Sequence, residues 1–208
     1  MKRLMFSGFL VCLLSSLSVA QPFEGTITAT NSLRPNVSTE FLIKGDLTRQ
    51  TPLGPGLADM KVFTDLGDNA YYLWINQQGT PQVMRYFLSG SSRQATGTQL
   101  MFSNVSATGN TQTIDGYLCK EYTGTVNGNT FTAWAASELA DIDVKAHISP
   151  QTFEQLPYAT LPGVEGLVIR FSSVYGSANQ HFTVSLSVVP HVVDPALVES
   201  PIPTTIVD

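Results

Sequence analysis

The sequence is short of the residue patterns that catalytic and metal centres need. It has three histidines, none of them in HExxH or another ligand spacing. It has no GxSxG segment for a nucleophilic serine and no glycine-rich phosphate loop at the start of a helix. We therefore predict no catalytic residues, no metal site and no cofactor, and we expect a protein that is not an enzyme.

Charged residues, and basic ones above all, are also scarce. Only 13% of the residues are charged, and 11 Lys and Arg face 16 Asp and Glu. A surface of negative net charge repels phosphate backbones, and no basic run is interleaved with aromatic residues. We therefore predict no nucleic-acid partner.

The sequence has no apolar run as long as the roughly 20 residues that a membrane-spanning helix needs. The most apolar run lies within residues 1–20, where it follows Lys2 and Arg3 and ends in Ser18-Val19-Ala20. This order predicts a signal peptide over 1–20 that is cleaved after Ala20. The mature protein is then exported to the periplasm or the extracellular space and is not an integral membrane protein. A lipid-modified Cys12 and an uncleaved anchor are the alternatives.

Cysteine is nearly absent from the predicted mature chain, because cleavage would leave Cys119 alone. A single cysteine excludes an internal disulfide. Cys119 follows Leu118 on a predicted strand, where a free thiol is typically buried as a small apolar residue. A reactive thiol, or one that pairs between chains, is the alternative.

What the chain does have is alternation of apolar and polar residues, which is typical of strands with one buried face. The predicted strands are 23–32, 37–50 with a bend or bulge at Gly45-Asp46, 60–66, 69–76, 81–88, 165–175 and 180–188. Between Thr113 and Trp134, Asn127-Gly128-Asn129 separates two runs rich in Tyr, Thr, Phe and Trp, which predicts a tight hairpin central to the fold.

The remaining segments are predicted as loops, short helices and a tail. Prolines and glycines make 51–59 a loop, and 89–110 is mostly surface loop with a short return at 100–102. Helical propensity is expected over 135–143 and over 149–156, the second capped by Ser149 and stopped by Pro157. Residues 191–208 are predicted to form an extended, proline-containing tail that either lies over the body or frays.

These patterns predict a mainly β protein of α+β type, with a curved antiparallel sheet or half-barrel that wraps one or two short helices. Residues 21–190 are long enough for a single domain. The strand at 70–75 is apolar on both faces, so both should be covered. The predicted apolar groove is lined by large side chains of this strand and its neighbours, namely Tyr72, Trp74, Met84, Tyr86, Trp134 and Phe171.

Several short segments resemble a bacterial envelope family known only as a domain of unknown function, of the DUF4412 type. They are Phe23-Glu24-Gly25, Ile43-Lys44-Gly45-Asp46 with Arg49, Asp65 before an aromatic strand, Gly116 to Tyr122, and Trp134. Such proteins are similar to the half-barrel of periplasmic lipoprotein carriers, which implies a curved antiparallel sheet around an apolar groove. At Leu197 to Pro201 the chain departs from the family's aromatic close. The family implies no activity.

We therefore expect a non-enzymatic exported protein whose concave sheet face binds a lipid, an acyl chain or another apolar ligand. One alternative is a structural or assembly protein that docks an envelope protein partner through its sheet edge or tail. The other is a hydrolase whose acidic residues meet only in the fold.

Overall fold

A computed structural model describes residues 22–57, 59–87, 100–142, 144, 158–175, 180–202 and 205–207. Its strands are β1 (Glu24–Asn31), β2 (Ser38–Lys44), β3 (Leu47–Leu53), β4 (Met60–Asp65), β5 (Ala70–Gln77), β6 (Thr80–Phe87), β7 (Phe102–Ile114), β8 (Tyr117–Val126), β9 (Asn129–Ala136), β10 (Leu167–Tyr175), β11 (Gln180–Pro190) and β12 (Thr205–Val207). Two 3₁₀ turns occur among the described residues, at Ser137–Leu139 and Pro195–Leu197.

All twelve strands belong to one sheet, in the order β12-β6-β5-β4-β3-β2-β1-β11-β10-β9-β8-β7. Two antiparallel meanders, β1–β6 and β7–β11, meet where β1 pairs with β11. β12 adds to β6 in parallel through three residues. The sheet is curved and does not close, which confirms the predicted mainly β, curved antiparallel class.

The two faces of the sheet differ in chemistry, because alternate side chains point to opposite sides. We define the inner face by Ile27 of β1 and the outer face by its neighbour Thr28. The inner face carries the main core, whose buried strand residues include Ile27, Ala29, Phe41, Ile43, Phe131, Ala133, Phe171, Phe182, Val184, Leu186 and Val188. On the outer face of β1 and β11 stand Thr26, Thr28, Thr30, Ser185 and Ser187.

The described residues between β9 and β10 pack on the inner face of the β8–β2 half. Leu139, Ile142, Val144, Ala159 and Leu161 are all buried in the main core cluster. Beside them, Tyr158 stacks on Phe171 at 4.0 Å between ring centroids. This half of the inner face is therefore occupied by the protein's own side chains.

A row of buried polar residues ends the main core at β3. Thr39, Thr48, Gln50 and Thr64 are at most 3% exposed, and register places all four on the inner face of β2, β3 and β4. Beyond this row, Val62 and Tyr71 form a separate apolar cluster with Leu66, Leu73 and Tyr86. The inner face is thus divided into two apolar regions.

The segment after β11 lies against the outer face. Val193 and Val198 are buried against Leu42 of β2, with Leu47 beside them. Without this cover Leu42 would be an apolar side chain exposed on a polar face, so the segment belongs to the folded body at least as far as Val198. Of the two alternatives for the predicted tail, this part of it lies over the body.

Most strand predictions are confirmed, but the segment 37–59 differs. Gly45-Asp46 is a hairpin turn between β2 and β3 and does not bend one continuous strand. In addition, β3 includes Thr51, Pro52 and Leu53, which lie in the predicted loop 51–59. Proline is tolerated there because β4 pairs only with Leu47–Gln50, so a backbone N–H at position 52 would have no acceptor on β4.

Three other predictions need correction. Residues 103–110, predicted as loop, belong to β7, whose polar sequence lacks alternation because both faces of this edge strand are exposed. In the predicted helix 135–143, the first two residues end β9 and a single 3₁₀ turn follows. The β8–β9 hairpin forms at Asn127-Gly128 with positive φ at both residues, yet it lies near one sheet edge and not at its centre.

Some of the predicted segments are not among the residues that the structure describes. The signal peptide 1–20, residues 89–99 of the predicted loop and the helix at 149–156 lie outside the described residues. Among the residues that are described, no helix is long and apolar enough to cross a membrane.

Two glycines before β10 provide a matched test of this packing. A Cβ on Gly166 would lie 2.1 Å from the carbonyl oxygen of Ala136, whereas Gly163 has nothing within 4 Å, and both have positive φ. Gly163→Ala should cost only the left-handed backbone strain of about 1–2 kcal/mol. Gly166→Ala should cost clearly more, because β9 must also move. Urea unfolding of both variants measures this, and equal losses of stability would contradict the close approach.

Candidate functional site

The predicted groove residues of β5 and β6 lie on opposite faces. Register puts Tyr72 and Trp74 on the outer face, while Met84 and Tyr86 are on the inner face. Side chains on opposite faces of a sheet do not line one groove. The alternation along Tyr71 to Ile75 shows that two faces exist, but which one turns inward depends on pairing with β4 and β6.

Phe171 and Trp134 lie in the other half of the sheet. Phe171 is 1% exposed and stacks between Tyr158 and Phe131, at centroid distances of 4.0 and 5.1 Å. Trp134, half-buried on β9, points to the face opposite Ala133 and has Glu121 and Arg170 as cross-strand neighbours. The six predicted residues therefore occupy four environments, and only Met84 and Tyr86 stay together on the inner face.

Five of the inner side chains of β4, β5 and β6 form what we term the inner patch: Val62, Tyr71, Leu73, Met84 and Tyr86. Tyr71 and Tyr86 stack at 4.7 Å with nearly parallel rings, and the Tyr86 hydroxyl lies 3.6 Å from the Met84 sulfur. Burial, and then the neighbouring Tyr86, raise the pKa of Tyr71, so the Tyr71 phenol is neutral at physiological pH. The inner patch carries no charged side chain.

Sequence analysis missed Val62, Tyr71 and Leu73 as members of this patch. Each was within a correctly predicted strand, and each alternates with a residue of the opposite face. Strand periodicity could have grouped Tyr71 with Leu73. It does not reveal which of the two sets faces the core.

The outer face of the same strands holds a charged network. Asp68 accepts hydrogen bonds from the Tyr72 hydroxyl at 2.7 Å and from Arg85 at 2.6 Å. The Arg85 guanidinium also lies over the rings of Tyr72 and Phe87, and Lys61 lies over Trp74 at 5.1 Å. Cations therefore already occupy the aromatic faces on this side.

Groups suited to catalysis are not brought together in the described part of the chain. No cluster of three His, Cys, Asp or Glu residues that could hold a metal ion occurs among those residues. Cys119 is fully buried, as predicted, and desolvation chiefly raises the pKa of its thiol. A raised pKa keeps the thiol protonated and so weakens it as a nucleophile.

A polar latch attaches the segment after β11 to the outer face. Lys44 Nζ donates to Glu24 Oε1 at 2.6 Å and to the Val193 carbonyl at 2.9 Å, and the Val193 amide donates to Glu24 Oε1 at 2.6 Å. Nearby, Thr26 and His191 are hydrogen-bonded at 2.8 Å. The Lys44 hydrogen bond, followed by that of the Val193 amide, lowers the pKa of Glu24.

Comparison with known proteins gave no family model that matches and no curated protein that matches. Among solved structures, PNGF-II in space group C2 is 16% identical, with a TM-score of 0.43 over 86% of this chain and 30% of that chain. A second crystal form of PNGF-II gives 13%, 0.41, 87% and 31%. The chain thus spans about a third of the length of PNGF-II.

A LolA superfamily protein, NE2245 from Nitrosomonas europaea, is also weakly similar. It is 11% identical, with a TM-score of 0.34 over 86% of this chain and 90% of that chain. Similarity of this degree assigns no activity and no ligand. Function must be argued from the residues themselves.

The latch predicts a pH dependence of the segment after β11. Because the folded pKa of Glu24 lies below its ordinary value near 4.5, the latch contributes fully above that value and is lost as the pH falls through the lowered pKa. Hydrogen exchange at the Val193 amide, corrected for intrinsic rates, should show constant protection from pH 8 to about 5 and lose it in stronger acid.

The matched variants are Glu24→Gln and Glu40→Gln at neutral pH. Glu40 contacts Arg49 at 3.5 Å and has no described contact with the segment after β11. Only Glu24→Gln should speed exchange at Val193. Equal exchange in both variants would show that the carboxylate of Glu24 does not hold the segment.

Proposed function

We propose that this protein is a non-enzymatic, exported protein that binds a lipid, an acyl chain or another apolar ligand on the inner patch. The observation that carries the proposal is the separation of the inner patch from the main core by the polar row at β2–β4. An acyl chain buried there would gain about 0.8 kcal/mol for each methylene group removed from water.

The composition of the patch suits a flexible apolar ligand. Leu73, Met84 and Tyr86 are only half-buried, so each has apolar surface left to cover. Methionine adapts to irregular shapes because its side chain is unbranched and polarizable. The absence of charged side chains among the five patch residues removes the desolvation cost that a charge would add on ligand binding.

The signal peptide predicted from the sequence over residues 1–20 also supports the proposal. A protein that leaves the cytoplasm after cleavage at Ala20 would meet lipids of the envelope or of its surroundings. The exported form should begin at Gln21, which N-terminal sequencing of the purified protein determines.

Leu73→Gln is the direct test of ligand binding. A glutamine at this inner position would place an amide against the acyl chain, at a cost of about 1–3 kcal/mol, so binding should weaken about tenfold. Native mass spectrometry and lipid extraction of the exported protein measure retained ligand, and displacement of a fluorescent fatty acid measures affinity.

Trp74→Gln is the matched control, because Trp74 is the next residue of β5, is also half-buried and lies on the outer face. It should leave ligand binding unchanged. Wild-type protein that carries no lipid and binds no fatty acid would refute the proposal, as would equal loss in both variants.

The second candidate function, docking of an extended partner strand, is favoured by the exposed edge strand β7. It has 13 residues, pairs only with β8 in the described part of the chain, and is exposed over most of its length. At the opposite edge, β12 already pairs with Met84 to Tyr86 of β6. Unpaired backbone groups on such an edge invite strand addition.

Thr113→Lys tests this second candidate. A lysine on the edge disfavours strand addition, as charged side chains do on natural sheet edges. A partner that copurifies with the wild-type chain should be lost from Thr113→Lys and kept by Gln77→Lys, an exposed position at the end of β5. A partner kept by both variants, or lost from both, would exclude docking at β7.

A further inference from the structure

The outer face around Trp134 combines one aromatic ring with charged and hydroxyl groups. Strand register sets the order Glu121, Trp134, Arg170, Ser185 and Thr30 across β8, β9, β10, β11 and β1. In register, Trp134 therefore stands between Glu121 of β8 and Arg170 of β10. It packs against the main core with part of its surface and is half-buried.

A row of hydroxyl groups runs beside this aromatic row. It consists of Thr123, Thr132, Ser172 and Thr183, again across β8 to β11. Ser172 and Thr183 are hydrogen-bonded to each other at 2.9 Å, and Thr123 donates to the Phe131 carbonyl at 3.0 Å. The indole is thus bordered by short, rotationally restricted hydroxyls.

The carboxylate of Glu121 is held in place and ionised. Thr108 Oγ1 and Asn110 Nδ2 each donate to Glu121 Oε2 at 2.7 Å. These two hydrogen bonds, Thr108 first, lower the pKa of Glu121. Both donors come from the irregular part of β7, and a depression beside Glu121 is lined by Ala107, Gly109, Asn110, Thr111, Lys120 and Glu121.

The guanidinium of Arg170 and the indole N–H of Trp134 retain their donors. Within the described residues neither side chain makes a hydrogen bond, an ion pair or a ring contact. This contrasts with Trp74 in the other half of the sheet, whose ring lies under Lys61. Among the described residues, no cation lies over the Trp134 ring, and its cross-strand neighbour Arg170 makes no hydrogen bond or ion pair.

We propose that Trp134, Glu121 and Arg170 form a binding subsite for a neutral saccharide on the outer face. The apolar C–H face of a sugar ring stacks on an indole, while its hydroxyls donate to a carboxylate and accept from a guanidinium. Glu121 and Arg170 stand two strand spacings apart, about 10 Å, on either side of the indole. Thr108 and Asn110 both donate to Oε2 of Glu121, so Oε1 is the atom that would accept from a hexose stacked on Trp134.

The surrounding charges and hydroxyls favour this ligand class over others. A polyanion would meet the ionised Glu121 on the neighbouring strand, in a chain of net charge −5. An acyl chain would have to cover charges and hydroxyls, and desolvation of such groups opposes its binding. The inner patch is on the opposite face, so this subsite does not depend on the proposed lipid binding.

The test uses full-length exported protein carrying Trp74→Phe, which leaves Trp134 as the single tryptophan. Maltohexaose, cellohexaose, chitohexaose and mannohexaose are titrated up to about 10 mM, a range that includes weak binding. At least one should change the Trp134 fluorescence with saturation, and calorimetry on the wild-type chain should give the same affinity.

Three variants and one control complete the experiment. Trp134→Ala in the wild-type background should weaken calorimetric binding more than tenfold, and Glu121→Gln and Arg170→Gln should each weaken it about threefold to tenfold. Trp74→Phe alone should change nothing. Should Trp134→Ala not fold by circular dichroism, the Arg170→Gln result decides.

Several outcomes would overturn the proposal. The first is that none of the four hexasaccharides binds to folded protein. The second is that binding survives both the Trp134 and the Arg170 substitutions. The third is that only a sulfated glycan such as heparin binds. Loss of saccharide binding with intact lipid binding in Trp134→Ala would place the two ligands on separate faces.

Discussion

The pairing of β1 with β11 holds the two meanders together as one sheet. All other neighbouring antiparallel strands are consecutive in the chain, whereas these two are separated by about 150 residues. Ile27 faces Val188 and Ala29 faces Leu186 across the joint, all four buried. Closing so long a loop costs chain entropy, and this apolar contact with its backbone hydrogen bonds must offset it. The main core is continuous because it passes through this joint.

The two halves of the inner face differ because only one is covered by the described chain between β9 and β10. Ile142, Val144 and Leu161 pack onto the strands from β8 to β2, where Phe171 and Phe131 already stack. At β3 the inner positions become Thr48 and Gln50, which are buried but polar. Apolar packing cannot run through such residues, so the inner patch forms a cluster of its own.

Each of the two proposed binding surfaces follows from alternation along the strands. On β5, a shift of one residue separates Leu73 of the inner patch from Trp74 of the charged network. On β9, the same shift separates buried Ala133 from Trp134 between Glu121 and Arg170. One curved sheet can thus offer an apolar surface on one side and a hydrogen-bonding surface on the other.

Local chemistry in the sequence determined where most strands and turns lie. Asn127-Gly128 accepts positive φ, and the alternation in β1, β10 and β11 requires one buried face, so these elements were predictable from a few residues. The burial of Cys119 followed from its place on such a strand. The exposed edge strand β7 was missed because a strand wetted on both faces has no periodicity to detect. The end of β3 was also missed, because Pro52 indicates a loop in the sequence. A proline is tolerated in the strand at this position only because β4 has stopped pairing before it.

Only the tertiary structure decided the order of the strands and which side of each faces the core. That choice placed Tyr72 and Trp74 opposite Met84 and Tyr86, and it set Trp134 between two charges drawn from β8 and β10. The physical reason is that period two defines two equivalent faces within one strand. Pairing with strands remote in sequence decides which of the two faces joins the main core.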